Sequence, residues 1–305
     1  MIRGENCARI FPILMEQTVF DSKKKGLYRD SVHSLYIERV IKSRSMAQAH
    51  YHPYFELYFV TSGNCKIFAA HSVSSLSPGD VIILPPGTLH RSQYENSSVE
   101  RFTLYFTEKY LEDLLPLLGK SFISEKLKKC TVAFSGEKLK TLEKCFKDIL
   151  SIQNESKSGS AEDDFNTLQT KIRLLEILNL IASNTQREEN LSAVKSKSQL
   201  EIEKAAKFIF ENYAGEITLV QAAKMAGMRD TYFSRRFKEV TGLGFREYLL
   251  NVRIQHSMQM LLKSELSITQ IATACGFSDG NYFGDIFKKI TGKSPREFRK
   301  RISLK

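Results

Sequence analysis

The sequence predicts a multidomain α+β chain, with a β-rich region first, helices next and an all-helical domain last. Three observations carry this. Short β-type runs crowd residues 32–106. The apolar spacing then changes to three and four after residue 108. One helical passage is written almost twice within the last hundred residues. At 305 residues the chain is about twice a typical domain, which agrees with more than one core.

Composition narrows the class. Hydrophobic residues make up 42% and charged residues 26%, ordinary values for a globular protein. No apolar run approaches the roughly 20 residues of a membrane span, and the opening "MIRGENCARIFPILMEQ" lacks a signal-peptide pattern, so a cytoplasmic protein without membrane partners is expected. The five cysteines are scattered, odd in number and without a C-x-x-C pair, which argues against a disulfide framework or a structural zinc site. Net charge is +11, and the stretch from Leu200 to Lys305 holds 18 Lys/Arg against 11 Asp/Glu. A basic C-terminal third suits a polyanionic partner, although many solvated surfaces are equally basic.

The elements follow in order. "SLYIERVI", "FELYFV", "CKIFAA", "VIILP" and "ERFTLYF" are strand-like, and Gly, Pro and Ser punctuate them, as in "TSGN", "SPGD" and "LPPGT". That texture predicts an all-β barrel or sandwich over residues 1–107. Residues 108–184 read as helical. In "DDFNTLQTKIRLLEILNLIAS", Phe165, Leu168, Ile172, Leu175, Leu178 and Ile181 recur at spacings of three and four. The polar residues 185–199 read as a linker, and 200–305 as an all-α domain.

The repeat is specific. Ala223 and Gly227 return as Ala272 and Gly276. Tyr232, Phe233, Phe237, Lys238, Thr241 and Gly242 return as Tyr282, Phe283, Phe287, Lys288, Thr291 and Gly292 one residue further on. Each copy reads as a short helix, a turn opening on Gly, and a second helix starting near Asp230 or Asp279. Gly supplies the positive φ of the turn, and Asp can accept the first backbone N–H groups of the next helix. This is helix-turn-helix spacing, and two copies are too few for a solenoid. "REYLLNVRIQHSMQMLLK" between the copies reads as a connecting helix of about 27 Å. Such a rod can hold two recognition helices near one DNA turn, about 34 Å, apart. On a helical wheel, Phe233, Phe237 and Val240, and in the second copy Phe283, Phe287 and Ile290, turn to the core. Thr231, Arg235 and Lys238 lie opposite, flanked by Ser234 and Arg236; Asn281, Asp285 and Lys288 lie opposite in the second copy.

Residues 200–300 resemble the DNA-binding domain of the AraC/XylS family of bacterial transcription regulators. "AAKMAGMRDTYFSRRFKEVTG", "YLLNVRIQHSMQMLL" and above all "ITQIATACGFSDGNYFGDIFKKITGKSPREFR" carry the resemblance. The chain departs from it at Phe245, where the family usually has Pro, and at Asp285, where a polar contact residue such as Arg is common. The resemblance implies a sequence-specific regulator bound to double-stranded DNA and working with RNA polymerase. Thr231, Arg235 and Asn281 are the expected base readers. Arg229, Arg236, Lys288, Lys289 and Lys293 are expected on phosphates, which position without specifying. An Asp repels phosphate, so the second helix is expected to add less affinity. Cys275 reads as a small core residue.

"AHYHPYFELYFVTSG" and "SPGDVIILPPGTLHR" resemble the two motifs of the cupin superfamily, which implies a jelly-roll barrel over about residues 30–107. His50, His52, Glu56 and His90 can converge, because residues two apart on a strand share a face. They are expected to line an effector pocket, with Tyr58 and Arg91 as further candidates and Tyr54 as a weaker one. Two other readings stay open: a purely structural role, or a borderline divalent metal site (Zn, Mn, Fe or Ni). No cofactor is otherwise expected. The helix over 165–181 reads as a homodimer contact or as internal packing. The competing function is a metal-dependent cupin enzyme with a helical accessory module, which leaves the repeat unexplained.

Overall fold

The computed structural model describes residues 35–42, 45–46, 49–52, 54–94, 98–119, 122–128, 130–155, 162–184 and 196–300. The expected linker over 185–199 lies almost wholly outside these, as do residues 1–34. Among the described residues eight strands are seen: β1 (Leu35–Lys42), β2 (Phe55–Ser62), β3 (Cys65–Ala69), β4 (Ser72–Leu76), β5 (Asp80–Leu84), β6 (His90–Tyr94), β7 (Val99–Phe106) and β8 (Cys130–Ala133). They form an antiparallel sheet in the order β1-β7-β2-β5-β8 and a second one in the order β4-β3-β6.

The period of two decides which core each side chain enters. On β2, Phe55, Leu57 and Phe59 point to one side, with Val81, Ile83, Phe102 and Leu104 from neighbouring strands. Tyr58 and Val60 point to the other, into a core shared with Cys65, Ile67, Leu76, Ile82 and Tyr94. The five-stranded sheet therefore has two buried faces, which is why β2 and β5 read as continuous apolar runs.

Behind β7 come three short helices, α1 (Glu108–Leu111), α2 (Leu115–Leu118) and α3 (Phe122–Lys126), then β8, α4 (Gly136–Glu155) and α5 (Glu162–Ser183). Helix α4 buries Leu142, Cys145, Phe146 and Ile149, and α5 buries Leu174, Ile177, Leu178 and Ile181, all in the core behind the five-stranded sheet. Phe146 packs at 5.1 Å from the Phe59 ring and 5.7 Å from Phe102. Burying each such ring contributes roughly 1.5–3 kcal/mol. The helical texture read over 108–184 thus contains a strand, β8, that closes the β5 edge. "CTVA" is too short to show alternation. The polar β4 ("SVSSL") and β6 ("HRSQY") were likewise absent from the strand-like runs.

The last domain comprises α6 (Lys197–Asn212), α7 (Leu219–Met225), α8 (Asp230–Thr241), α9 (Phe245–Lys263), α10 (Ile268–Ala274), α11 (Gly280–Thr291) and α12 (Pro295–Lys300). Helix α6 starts at Lys197, inside the stretch read as linker, because Ser196 caps it by accepting from the Gln199 amide. Helices α7 and α10 open on matching capping boxes, Thr218 with Gln221 and Ser267 with Gln270. Asp279 caps α11 through the amides of Asn281 and Tyr282, as expected. Asp230 does not do the same for α8. It is already the first helical residue, and Arg229 stands at the cap without a side-chain hydrogen bond. Phe233, Phe237, Val240, Phe283 and Phe287 are buried, while Ile290 is only half-buried. Cys275 is fully buried with its thiol 3.8 Å from the Met260 sulfur, and burial pushes that thiol up to about 12, so it is an inert core residue.

The core of this domain also takes in Tyr51, Phe68, Val73 and Leu89 of the β-domain. The helical domain is therefore seated on the outer side of the three-stranded sheet.

His256 on α9 stacks on Tyr213 at 3.8 Å, and its Nε2 is buried with no hydrogen-bond partner. Burial lowers its pKa from 6.5 to about 4. The neutral ring is the folded form, so stability is full above pH 6.5 and falls as pH drops from 6.5 to about 4. The loss should reach about 3 kcal/mol. Across that window the protein should lose stability relative to His256→Phe, which keeps no titrating group there; parallel melting curves would contradict the assignment.

Candidate nucleic-acid interface and effector site

Helix α8 exposes Thr231, Ser234, Arg235 and Lys238 on the face opposite its phenylalanines, with exposed Arg229 at its start. Helix α11 exposes Asn281, Asp285, Lys288 and Lys289 in the same way, and Lys293 follows it in the turn to α12. Arg235 lies 3.8 Å from Glu239 and 5.6 Å from the Tyr232 ring, loose exposed contacts that cost little to leave. Arg236 differs from its expected phosphate role. Its Nε donates to the Ser198 hydroxyl at 3.0 Å and its NH1 to Glu239 at 3.0 Å, so it braces α6 against α8. Sequence reasoning missed Tyr232 and Tyr282, which stand exposed at equivalent places beside the two reading faces. Their repetition outside the buried phenylalanine stripe was the available signal. Between the two units the surface dips into a groove of about 860 Å³, lined among others by Ser234, Arg246, Arg253, Ser278 and Tyr282.

In the β-domain the structure brings His50, His52, His90 and Glu56 together. His50 pairs with His90 through their backbones, N–H to O at 2.9 and 2.8 Å, and the two rings stand 4.3 Å apart. The His52 ring stacks on Tyr54 at 4.1 Å. Nδ1 of His52 faces the Tyr54 carbonyl at 3.0 Å, and Nδ1 of His90 faces the Thr88 carbonyl at 2.8 Å. A carbonyl only accepts, so both Nδ1 atoms carry hydrogen. The Nε2 atoms then converge on one oxygen of Glu56, at 2.7 and 3.2 Å. All three side chains are buried. Burial drives the Glu56 carboxyl up, but the hydrogen bonds and charges of His52 and His90 outweigh it and hold the group well below its usual range. Burial lowers the His52 pKa against the opposing pull of Glu56.

Ligand atoms of His50, His52 and His90 all lie within 4.8 Å of one another. His52 and His90, anchored through Nδ1–H to carbonyls, present Nε2 as a ligand, and with the neighbouring His50 ring and Glu56 the donor set fits a borderline divalent ion. Such an ion, when bound, would supply positive charge and polarise a coordinated oxygen.

Tyr58 shares the inward face with Glu56, as expected, but its hydroxyl meets Tyr94 at 3.3 Å rather than the histidines. Arg91 is a correction. Strand alternation sends it away from His90, out of the pocket and toward the helical domain. Its NH1 donates to the carbonyl of Glu239 at 3.1 Å, where Gln93 also donates at 2.5 Å, and its Nε donates to the Met46 carbonyl at 2.8 Å. Tyr51, between His50 and His52, donates to the Ile290 carbonyl at 3.4 Å. Tyr248 donates to the Ala70 carbonyl at 2.7 Å, and Gln255 to that of Gly87 at 2.8 Å.

Comparisons with known proteins bear on both regions. Residues 222–301 match a family model described as a helix-turn-helix domain, and residues 33–178 match one described as an AraC-like ligand binding domain; together they cover most of the chain. The chain is 28% identical over 227 residues to the uncharacterized HTH-type transcriptional regulator YijO of Escherichia coli (strain K12), covering 74% of this chain and 75% of that protein. It is 27% identical over 257 residues to the HTH-type transcriptional activator RhaR of Mannheimia succiniciproducens, covering 84% and 88%. It is 33% identical over 113 residues to the Msm operon regulatory protein of Streptococcus mutans, covering 37% of this chain and 41% of that protein. These relatives are transcriptional regulators rather than enzymes, which removes the reading as a cupin enzyme. With two duplicated reading helices on one domain and a ligand-binding β-domain beneath them, the chain belongs to the AraC family of helix-turn-helix transcriptional regulators.

Proposed function

We propose that a small molecule held in the β-domain controls where the two recognition helices stand, and through them the affinity for a specific DNA site. One observation carries this reading. The segments that bring His50, His52 and His90 together also carry, on alternate residues, Tyr51, Arg91 and Gln93, which hold the last-turn carbonyls of both recognition helices. A ligand that moves the histidine side of these strands moves the other side with it. Control requires only that the ligand bind one arrangement better than the other.

Thr231, Arg235 and Asn281 read bases in this proposal, and Arg229, Lys238, Lys288, Lys289 and Lys293 contact phosphates. Selection of bound duplexes from a random pool tests it. Arg235→Ala should erase preference at one or two positions, a loss of about 1–3 kcal/mol of discrimination there. Lys288→Ala should instead weaken all sequences alike and reduce the salt dependence by about one counterion. Uniform weakening by Arg235→Ala would move Arg235 to the phosphate class.

The active form is a cytoplasmic homodimer that acts with RNA polymerase. Support for the dimer comes from α5, whose first half leaves Phe165, Leu168 and Ile172 at 57%, 54% and 50% exposure on one stripe, while its second half is buried in the sensor. Leu168→Asp with Ile172→Asp should give monomers in sedimentation at concentrations where the parent is dimeric. Dimers that survive both changes would place the contact elsewhere.

A further inference from the structure

The interior of the β-domain holds a second polar group, apart from the histidine cluster. On β7, Arg101 pairs across the sheet with Val60 and is only 6% exposed. Its guanidinium lies 4.4 Å from the centre of the Tyr58 ring, and its NH1 donates to the Thr103 hydroxyl. Its Nε is buried with no hydrogen-bond partner. Among the described residues no carboxylate forms an ion pair with it. Glu56, the next inward residue of β2 beyond Tyr58, acts on the guanidinium through its charge without forming an ion pair with it, and the guanidinium also hydrogen-bonds to the Tyr94 hydroxyl. Close by, the Tyr58 hydroxyl meets that of Tyr94 at 3.3 Å, and the Ser92 hydroxyl donates to Tyr94 at 3.3 Å. The same core holds the Cys65 thiol, 3.7 Å from the Tyr58 hydroxyl, and the apolar side chains of Ile67, Ile82 and Leu84.

An unpaired guanidinium in such surroundings costs several kcal/mol. The face of Tyr58 offsets only part of that. Burial alone would push the Tyr94 phenol up, yet the charge of Arg101 and the hydrogen bonds of Ser92, Tyr58 and Arg101 together outweigh it and hold the phenol below its ordinary value. The guanidinium already draws negative charge toward itself. A planar fork with an unused donor, two phenols beside it and an apolar surround is built for the head and body of an organic acid.

We propose that the ligand of the β-domain is a small organic carboxylate, its anionic head on Arg101 and Tyr94 and its apolar body between the two sheets. This rests on the reading of the β-domain as an effector site and names the chemical class that site takes. The histidine cluster lies one inward position further along β2, at Glu56.

The test uses the full chain and four probes at matched ionic strength: sodium benzoate, sodium octanoate, benzamide and octanamide. Both acids should raise Tm and neither amide should. Arg101→Met should fold with a Tm no lower than the parent, since replacing a buried charge by an apolar side chain of similar volume is commonly neutral or stabilising, and should lose the response to the acids. Arg101→Lys, which keeps the charge and loses the fork, should bind the acids at least about tenfold more weakly. The proposal is overturned if amides and acids act alike, if no probe shifts Tm, or if acid binding survives unchanged in Arg101→Lys. A DNA-affinity arm separates the two readings. A neutral compound that changes both Tm and DNA affinity would sink the carboxylate and leave effector control standing. An acid that raises Tm while DNA affinity stays constant would keep the site and sink its control.

Discussion

Phe237→Ala should cost about 3–5 kcal/mol and leave the DNA-binding domain largely unfolded. Phe237 is fully buried, with ring centres of Phe233 at 5.2 Å, Tyr248 at 5.3 Å and Phe245 at 6.5 Å. Tyr248 is held from moving into the space, because its hydroxyl is tied to the Ala70 carbonyl of the β-domain. A domain is typically stable by only about 5–15 kcal/mol, so this loss removes most of the margin. Urea melts followed by helix content should show an earlier transition, and specific DNA binding should vanish. Phe237→Leu, which keeps most of the volume, should retain both. An alanine variant with an unchanged midpoint would mean that the packing around α8 does not hold the domain together.

Gly276→Ala should be far more damaging than Gly227→Ala, although the two glycines occupy the same place in the duplicated units. Both have positive φ, 81° and 63°. At Gly227 a methyl group would meet nothing within 4 Å, so the change costs only the left-handed backbone, about 1–2 kcal/mol. At Gly276 the methyl would fall 2.6 Å from the Ala214 carbonyl oxygen and 3.0 Å from its carbon. Backbone has to move there, and with it the turn whose carbonyls of Tyr213 and Gly215 are held by Arg253. A total near 3 kcal/mol or more is expected, since overpacking adds about 1–3 kcal/mol to the conformational penalty. Equal thermal shifts for the two variants would contradict this asymmetry.

The duplicated unit was legible because its signals are local. Two phenylalanines four apart, a turn glycine and a cap recur at a fixed offset, and backbone geometry demands each of them. The difference between the copies was not legible. Asp230 and Asp279 look alike in sequence, but the one-residue insertion makes only Asp279 a cap. In the β-domain, apolar runs revealed the strands with two buried faces. They hid β4, β6 and β8, which are polar or very short. His50, His52, Glu56 and His90 could be grouped by alternation alone. Arg91 could not be placed without knowing where β6 begins, because a shift of one residue sends a side chain to the opposite face. Arg101 was passed over because "VERFTLYF" reads as half-buried, where a charge ordinarily faces water. The ring that covers its guanidinium, Tyr58, comes from β2, far away in the chain.

Helix α9 touches α8 on one side and α10, α11 and α12 on the other, with no break along its 19 residues. A single inflexible span therefore sets the separation and the relative rotation of everything the protein presents to a duplex. Adding one base pair between the two halves of a binding site turns them by about 34° relative to each other, and the protein has no joint with which to follow. Tolerance to changes in spacing must come from bending of the DNA.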